Sequence, residues 1–183
     1  MKNFIIVIQF FLAASLSLSA QEISVATNLL DCANFGTLNM SASWGFSRHF
    51  SAEATVKYNP FEFGQEGEGL RNKQRSLSAG ARWWPWHIFS GWWVSGALRY
   101  QEYNTGGGEA LVTNEGDRYG AGVGLGYTYM LAPWLNLDVG LGVWAGYDTY
   151  VSYACPTCGR TVAAGSKYFI KPSDFILSIA YIF

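Results

Sequence analysis

The chain has 183 residues, of which 14% are charged and 17% aromatic, and its formal net charge at pH 7 is −1. That length suffices for one domain, and so small a charge excludes the basic surface expected of a nucleic-acid-binding protein. Beyond residue 20, no stretch of about 20 apolar residues predicts a transmembrane helix.

The N-terminus has the organisation of a secretory signal peptide. A positive start at Met1–Asn3 precedes an apolar run from Phe4 to Leu18, and small residues then lead to Ala20. We expect cleavage after Ala20, export of the mature chain and one barrel domain over residues 21–183. An uncleaved anchor helix is less favoured, because the apolar run is shorter than the about 20 residues that a span requires.

Hydrophobicity along the rest of the chain repeats with a period of two, which is the period of a β-strand. Between Phe50 and Asn59, apolar and polar residues alternate without exception. The pattern recurs and predicts an all-β fold, a transmembrane antiparallel up-and-down β-barrel of about eight strands. The expected strands are 23–31, 38–46, 50–59, 76–83, 92–101, 119–129, 135–145 and 173–183.

The last eleven residues form the most informative of these strands. Phe175, Leu177, Ile179, Tyr181 and Phe183 share one face, and in a soluble protein a terminal apolar strand would be a sticky edge. In a closed membrane barrel it pairs with the first strand, and its apolar face meets lipid. The ending resembles the C-terminal signature of bacterial outer-membrane β-barrels, which implies that Tyr181 and Phe183 serve the barrel-assembly machinery as a signal.

The connections and the aromatic residues also fit a barrel with both termini in the periplasm. Short connections are expected at 47–49, 85–91 and 131–133, and long exterior loops at 59–73, 102–117 and 147–171, with the short loop 32–36 as an exception. Tyr and Trp gather at the expected strand ends, as lipid interfaces favour. We therefore expect insertion into the lipid of the bacterial outer membrane. A soluble core or a sugar-stacking site is the less favoured explanation for the Trp residues.

Charged residues on the inward face would fill the interior, because an eight-stranded barrel has room only for side chains. The set is Glu53, Lys57, Arg82, Arg99 and Asp138. Glu53 is expected nearly opposite Arg82, and buried charges require partners. We therefore favour a charge plug that closes the lumen over a gate that opens a narrow pore. The inward glycines from Gly120 to Gly126 are expected to make room for Trp144.

Cys155 and Cys158 fall in an expected exterior loop, in an oxidising setting. They fit a redox pair, a metal-binding knuckle or a loop disulfide. We favour the disulfide, with Cys32 as the odd thiol, because a thioredoxin-type motif needs a βαβ setting and a zinc site needs four ligands. His49 and His87 are expected at the opposite end, where no Ser meets them. No catalytic residue, metal or cofactor is therefore expected.

Four short motifs resemble an uncharacterised family of small outer-membrane barrels from anaerobic gut and oral bacteria. They are Thr27–Asp31 (TNLLD), Tyr58–Phe61 (YNPF), Ala81–Trp84 (ARWW) and Cys155–Gly159 (CPTCG). The resemblance implies an eight-stranded barrel and, through frequent neighbourhood with fimbrillin-type pilus genes, a role in surface fibre assembly or anchoring. The family's usual Tyr after the leucine pair is replaced by Asp31 and Cys32.

The sequence therefore predicts a location and an architecture more sharply than a biochemical role. We expect a non-enzymatic outer-membrane barrel with a structural or surface-interaction role. Its expected partners are membrane lipid, the barrel-assembly machinery and surface fibre proteins, and not nucleic acid. A narrow gated channel is the alternative, and a lipid-modifying enzyme is the third and least favoured hypothesis.

Overall fold

A computed structural model of the chain describes residues 23–63, 70–107, 110–154 and 160–183. The elements in these ranges are β1 (Ile23–Asn28), α1 (Leu29–Ala33), β2 (Leu38–Ser47), β3 (Phe50–Asn59), β4 (Glu62–Phe63), β5 (Leu70–Trp83), β6 (Gly91–Gly107), β7 (Ala110–Ala132), β8 (Leu135–Tyr153) and β9 (Thr161–Ile182). The expected signal peptide and the Cys155–Cys158 pair lie outside the described residues.

Eight of the strands form a closed antiparallel ring. They follow one another as β1, β2, β3, β5, β6, β7, β8 and β9, and the two-residue strand β4 adds to the edge of β5. The ring closes where β1 pairs with β9, from Ser24 opposite Ile182 to Asn28 opposite Ser178. The predicted all-β, antiparallel up-and-down architecture is confirmed.

Burial alternates along the strands, with apolar side chains exposed and polar side chains buried, the reverse of a soluble β-sandwich. On β8, Val139 and Leu141 are 41% and 59% exposed, whereas Asp138 is 5% exposed. On β9, Ile179 is 41% exposed and its neighbour Ser178 is 8% exposed. Apolar side chains therefore point out of the ring and polar side chains point in, as the period-two pattern predicted.

The last five strands are longer than predicted, and β5 begins at Leu70, inside the expected loop 59–73. The expected loops 102–117 and 147–171 are wrong over most of their length, because β6 and β7 pair as far as Gly107 and Ala110, and β8 and β9 as far as Tyr153 and Thr161. Both faces of these extensions carry polar residues, so hydrophobic alternation does not mark them. We call this end of the ring the mouth and the short-turn end the base.

The first strand is shorter than predicted. It ends at Asn28, whose side-chain Oδ1 accepts a hydrogen bond of 3.3 Å from the backbone N–H of Leu30 and caps helix α1. The expected strand residues Leu29–Asp31 are therefore helical. Within the described ranges, no helix is long and apolar enough to cross a membrane.

Aromatic side chains fill the base of the lumen. Trp84 and Trp93 are almost completely buried and pack with Phe89. Trp84 Nε1 donates a hydrogen bond of 3.0 Å to Ser51 Oγ, and Asn136 Nδ2 donates one of 2.6 Å to the Phe89 carbonyl. Phe89 has φ 58°, which is unfavourable for a bulky residue, so this packing holds a strained turn across the base.

Candidate functional site

The lumen is the candidate functional site, because the charged side chains of the ring converge in it. They form three layers, which we call lower, middle and upper from the base to the mouth. The lower layer is Glu53, Arg82 and Asp138, the middle layer is Asp31, Lys57, Arg99 and Asp174, and the upper layer is Arg118 and Asp148.

The lower layer is one cation held between two carboxylates. Arg82 donates a hydrogen bond of 3.0 Å to Glu53 and one of 2.9 Å to Asp138. Its guanidinium also lies 4.3 Å from the ring centroid of Trp93, within the range of a cation–π contact. Thr128 Oγ1 donates a 2.6 Å hydrogen bond to Asp138. The layer therefore carries a formal charge of −1 and rests on the aromatic base.

The middle layer joins two cations to two carboxylates. Lys57 Nζ lies 2.6 Å from Asp31 Oδ2 and also pairs with Asp174. Arg99 pairs with Asp174 and donates a 3.1 Å hydrogen bond to the Ser173 carbonyl. Each carboxylate thus meets at least one cation, and the layer is formally neutral.

The five inward charges named from the sequence lie in two layers of the lumen. Glu53, Arg82 and Asp138 lie in the lower layer, and Lys57 and Arg99 lie in the middle layer. Helix α1 brings Asp31 to the lumen, where it gives Lys57 a carboxylate.

A small polar cavity separates the lower and middle layers. Its volume is about 90 Å³, which is room for about three water molecules. Glu53 and Arg82 border it on one side and Lys57 and Asp174 on the other, with serine and threonine hydroxyls and glycines between them. The cavity suits ordered water bound to charged groups.

The upper layer lies at the mouth. Arg118 Nε lies 3.1 Å from Asp148 Oδ2, and the Tyr103 hydroxyl donates a 2.8 Å hydrogen bond to Asp148 Oδ1. Burial and this hydrogen bond raise the pKa of Tyr103 to about 12. Tyr103 therefore stays neutral and donates to the buried Asp148 carboxylate at ordinary pH.

The inward glycines make room for two tryptophans rather than for Trp144 alone. A Cβ atom on Gly122 would lie 3.0 Å from Trp144 Cβ, but one on Gly126 would lie 2.2 Å from Trp93 Cζ2. Gly140 also faces Trp93, at 2.9 Å. Side chains at these positions would collide with rings that fill the lumen.

Several lumen residues were not predicted, although the alternation of inward and outward side chains along their strands indicates them. Asp174 shares the inward face of Ser178, and Asp148 shares that of Asp138 if the strand is continued. Trp93 shares the inward face of Arg99, whereas its neighbour Trp92 faces outward. Asp31 had no such signal, because it lies on a helix.

The remaining predicted residues lie at the ring's ends. The backbone N–H of Phe183 donates a 2.9 Å hydrogen bond to Ile23, and the Tyr181 ring packs between Phe183 and Trp134 at 4.8 and 5.6 Å. His49 Nδ1 lies 2.9 Å from the Trp84 carbonyl. Among the described residues, no group of three or more His, Cys, Asp or Glu side chains could hold a metal ion.

The closed ring, with its apolar exterior and ion-paired interior, defines a small, barrel-like, antiparallel β protein. A family model described as "Protein of unknown function (DUF3575)" matches residues 6–183. The chain therefore belongs to that family, and the prediction that it belongs to an uncharacterised family is confirmed at that level. No curated protein matches the chain.

Proposed function

We propose that the protein is an outer-membrane β-barrel that acts without catalysis, as a structural or surface-interaction protein. The observation that carries this proposal is the belt of exposed apolar side chains around a polar interior. Leu98, Val123 and Leu141 are 70%, 64% and 59% exposed on three adjacent strands. In water such a belt would be an aggregation-prone patch, whereas in a bilayer it faces hydrocarbon.

Aromatic pairs bound this belt at both ends, as expected at two lipid interfaces. At the base, the rings of Trp92 and Tyr127 lie 5.3 Å apart. Towards the mouth, Tyr147 lies 5.7 Å from Tyr119 and 5.4 Å from Tyr168. We call these two sets the lower and upper girdles, and we assign the strand extensions beyond the upper girdle to the cell exterior.

The filled lumen favours a structural or surface role over the alternative of a narrow channel. Trp84 and Trp93 obstruct the base, and Arg82 is held above them by two carboxylates. A lipid-modifying hydrolase is favoured less, because it needs a base beside a nucleophile and His49 is engaged by a carbonyl. The exterior extensions are then the part that meets partners, and surface fibre proteins are the class that the sequence resemblance favours.

Cell fractionation tests the membrane location. The mature chain should be recovered with outer membranes and should shift its mobility on heating in detergent gels, since a closed ring resists detergent until it is heated. Deletion of Phe183 or Phe183→Ala should lower assembled protein far more than total synthesis, while the control Phe183→Tyr keeps the terminal ring. Recovery of the mature wild-type chain in the soluble periplasm would refute the proposal.

Planar-bilayer recording separates the proposed role from the channel. The wild-type protein should conduct little, because an eight-stranded lumen holds side chains rather than open solvent. Glu53→Ala should admit a small leak by leaving Arg82 with one carboxylate. A large and steady wild-type conductance that this substitution leaves unchanged would favour the channel.

A further inference from the structure

Strand β9 has a free edge on the side that faces away from β8. It pairs with β8 from Tyr181 to Thr161 but with β1 only from Ile182 to Ser178. In the part of the chain that the structure describes, no strand pairs with this side of β9 between residues 161 and 177. The ring is thus fully closed near its base and open along one seam towards the mouth.

The lower part of this seam is closed by side chains. Asn28 Nδ2 donates a 3.1 Å hydrogen bond to the Phe175 carbonyl, and Asn28 Oδ1 accepts one of 3.0 Å from the Leu177 N–H. Arg99 satisfies the Ser173 carbonyl, and Pro172 has no N–H to satisfy. The seam-facing backbone groups of residues 173–177 are therefore covered, as hydrocarbon requires.

The upper part, residues 161–171, has no such cover among the described residues. The backbone groups of Phe175 and Leu177 face the seam. Ser173 is one extra residue in β9, which shifts the register with β8. Odd-numbered residues therefore face the seam below Ser173, and even-numbered residues face it above. Up to a second shift at Val162, the residues whose N–H and C=O groups face the seam are Ala164, Ser166, Tyr168 and Ile170.

The two faces of this edge differ in chemistry. Outward, Val162, Tyr168 and Ile170 are 61%, 86% and 79% exposed. Inward, the edge carries Lys167, which lies over the Tyr150 ring, and Lys171. Within the described residues, neither lysine has a carboxylate within ion-pair distance, and Asp148, which stands opposite Lys167 on β8, is already paired with Arg118. An occupant would therefore meet apolar contacts on one face and a net positive charge on the other.

The charge argues against a second copy of the chain as the occupant. In an antiparallel self-pair centred on Phe169, Lys167 of each copy would lie opposite Lys171 of the other, and opposed like charges destabilise a strand pair. Edge lysines are a known protection against such self-association. The same charge attracts an acidic strand.

We infer that residues 161–171 of β9 accept an extended segment of another surface protein in which acidic and apolar residues alternate. Backbone hydrogen bonds to the free edge supply affinity, and the two rows of side chains supply specificity. The segment's acidic side chains lie beside Lys167 and Lys171, and its apolar side chains lie beside Tyr168 and Ile170. The inference rests on the proposed surface-interaction role and names the class of partner.

The test uses the full mature protein in detergent micelles and a fluorescent peptide of about eight residues that alternates Glu and Val. Fluorescence anisotropy should show binding that a Lys-for-Glu version of the peptide lacks. Ala164→Pro removes one N–H that faces the seam and leaves the β8 ladder intact, so it should weaken binding about tenfold. The control Ala164→Thr keeps that N–H and should bind like wild type.

Reversal of the charges gives a second, independent arm. The double substitution Lys167→Glu and Lys171→Glu should abolish binding of the Glu peptide and confer binding of the Lys peptide. Equal affinity of the wild-type protein for the two peptides would overturn the inference, as would equal binding by Ala164→Pro and Ala164→Thr. If the peptide does not bind while the protein fractionates with outer membranes, only this inference is refuted. If the peptide binds but the protein is recovered in the soluble periplasm, only the membrane location is refuted.

Discussion

Removal of the lower layer's cation should destabilise the protein more than removal of either of its anions. Arg82 and Asp138 have side chains only 11% and 7% exposed, so water cannot replace a lost partner. Arg82→Met leaves Glu53 and Asp138 facing each other without a cation, and removing one partner of a buried ion pair costs about 3–5 kcal/mol. Asp138→Asn leaves a matched pair of Glu53 and Arg82, and we expect a cost of about 1–3 kcal/mol.

Denaturant unfolding in micelles, followed by tryptophan fluorescence, measures these differences. Arg75→Met is the matched control, because the Arg75 side chain is 72% exposed and lies 4.0 Å from Glu102. Loss of such a surface pair should cost at most about 1 kcal/mol. If Arg82→Met proves no more costly than Arg75→Met, or less costly than Asp138→Asn, the charges do not hold the lumen as we describe.

Two further predictions follow from the lumen and from the mouth. Gly126→Ala should destabilise the protein by about 1–3 kcal/mol because its Cβ meets Trp93, while Gly96→Ala, with no atom within 4 Å of its Cβ, should be neutral in the same unfolding assay. A hydrogen bond from Arg71 is the largest cause that lowers the pKa of Glu62 below its ordinary 4.5, so the support this contact gives to β4–β5 pairing is present above that pH and is lost as the pH falls through the lowered value. The hydrogen-exchange protection factors of β4 and β5, which correct for the slower intrinsic exchange in acid, should therefore decrease, and unchanged protection factors would contradict the assignment.

The part of the ring that carries the apolar belt could be read from the sequence because its two faces differ in polarity. Val139 and Asp138 are an example, because Val139 faces outward and Asp138 faces the lumen, where it pairs with Arg82. The contact of Glu53 with Arg82 was also predictable, because both residues lie on the inward faces of adjacent strands, where Glu53 stands opposite Gly80, two residues from Arg82.

The mouth could not be read in the same way. Where both faces of a strand carry polar residues, the period of two disappears, and the strands bearing Arg118 and Asp148 look like loops. Asp31 was assigned to a strand because its motif continues β1, yet the Asn28 cap starts a helix there. The middle layer therefore depends on a local turn that hydrophobic alternation does not encode.

The most direct test of the central proposal is the accessibility of spin labels along one strand in lipid vesicles. Single cysteines placed in turn at residues 94–99 of β6, in a background without the native cysteines, would carry the label. Labels at outward positions such as Leu98 should collide with oxygen dissolved in lipid and be shielded from a water-soluble nickel complex, while labels at inward positions such as Ala97 should be shielded from lipid oxygen. Free access of the nickel complex to Leu98 would show that the apolar belt lies in water and would contradict the account.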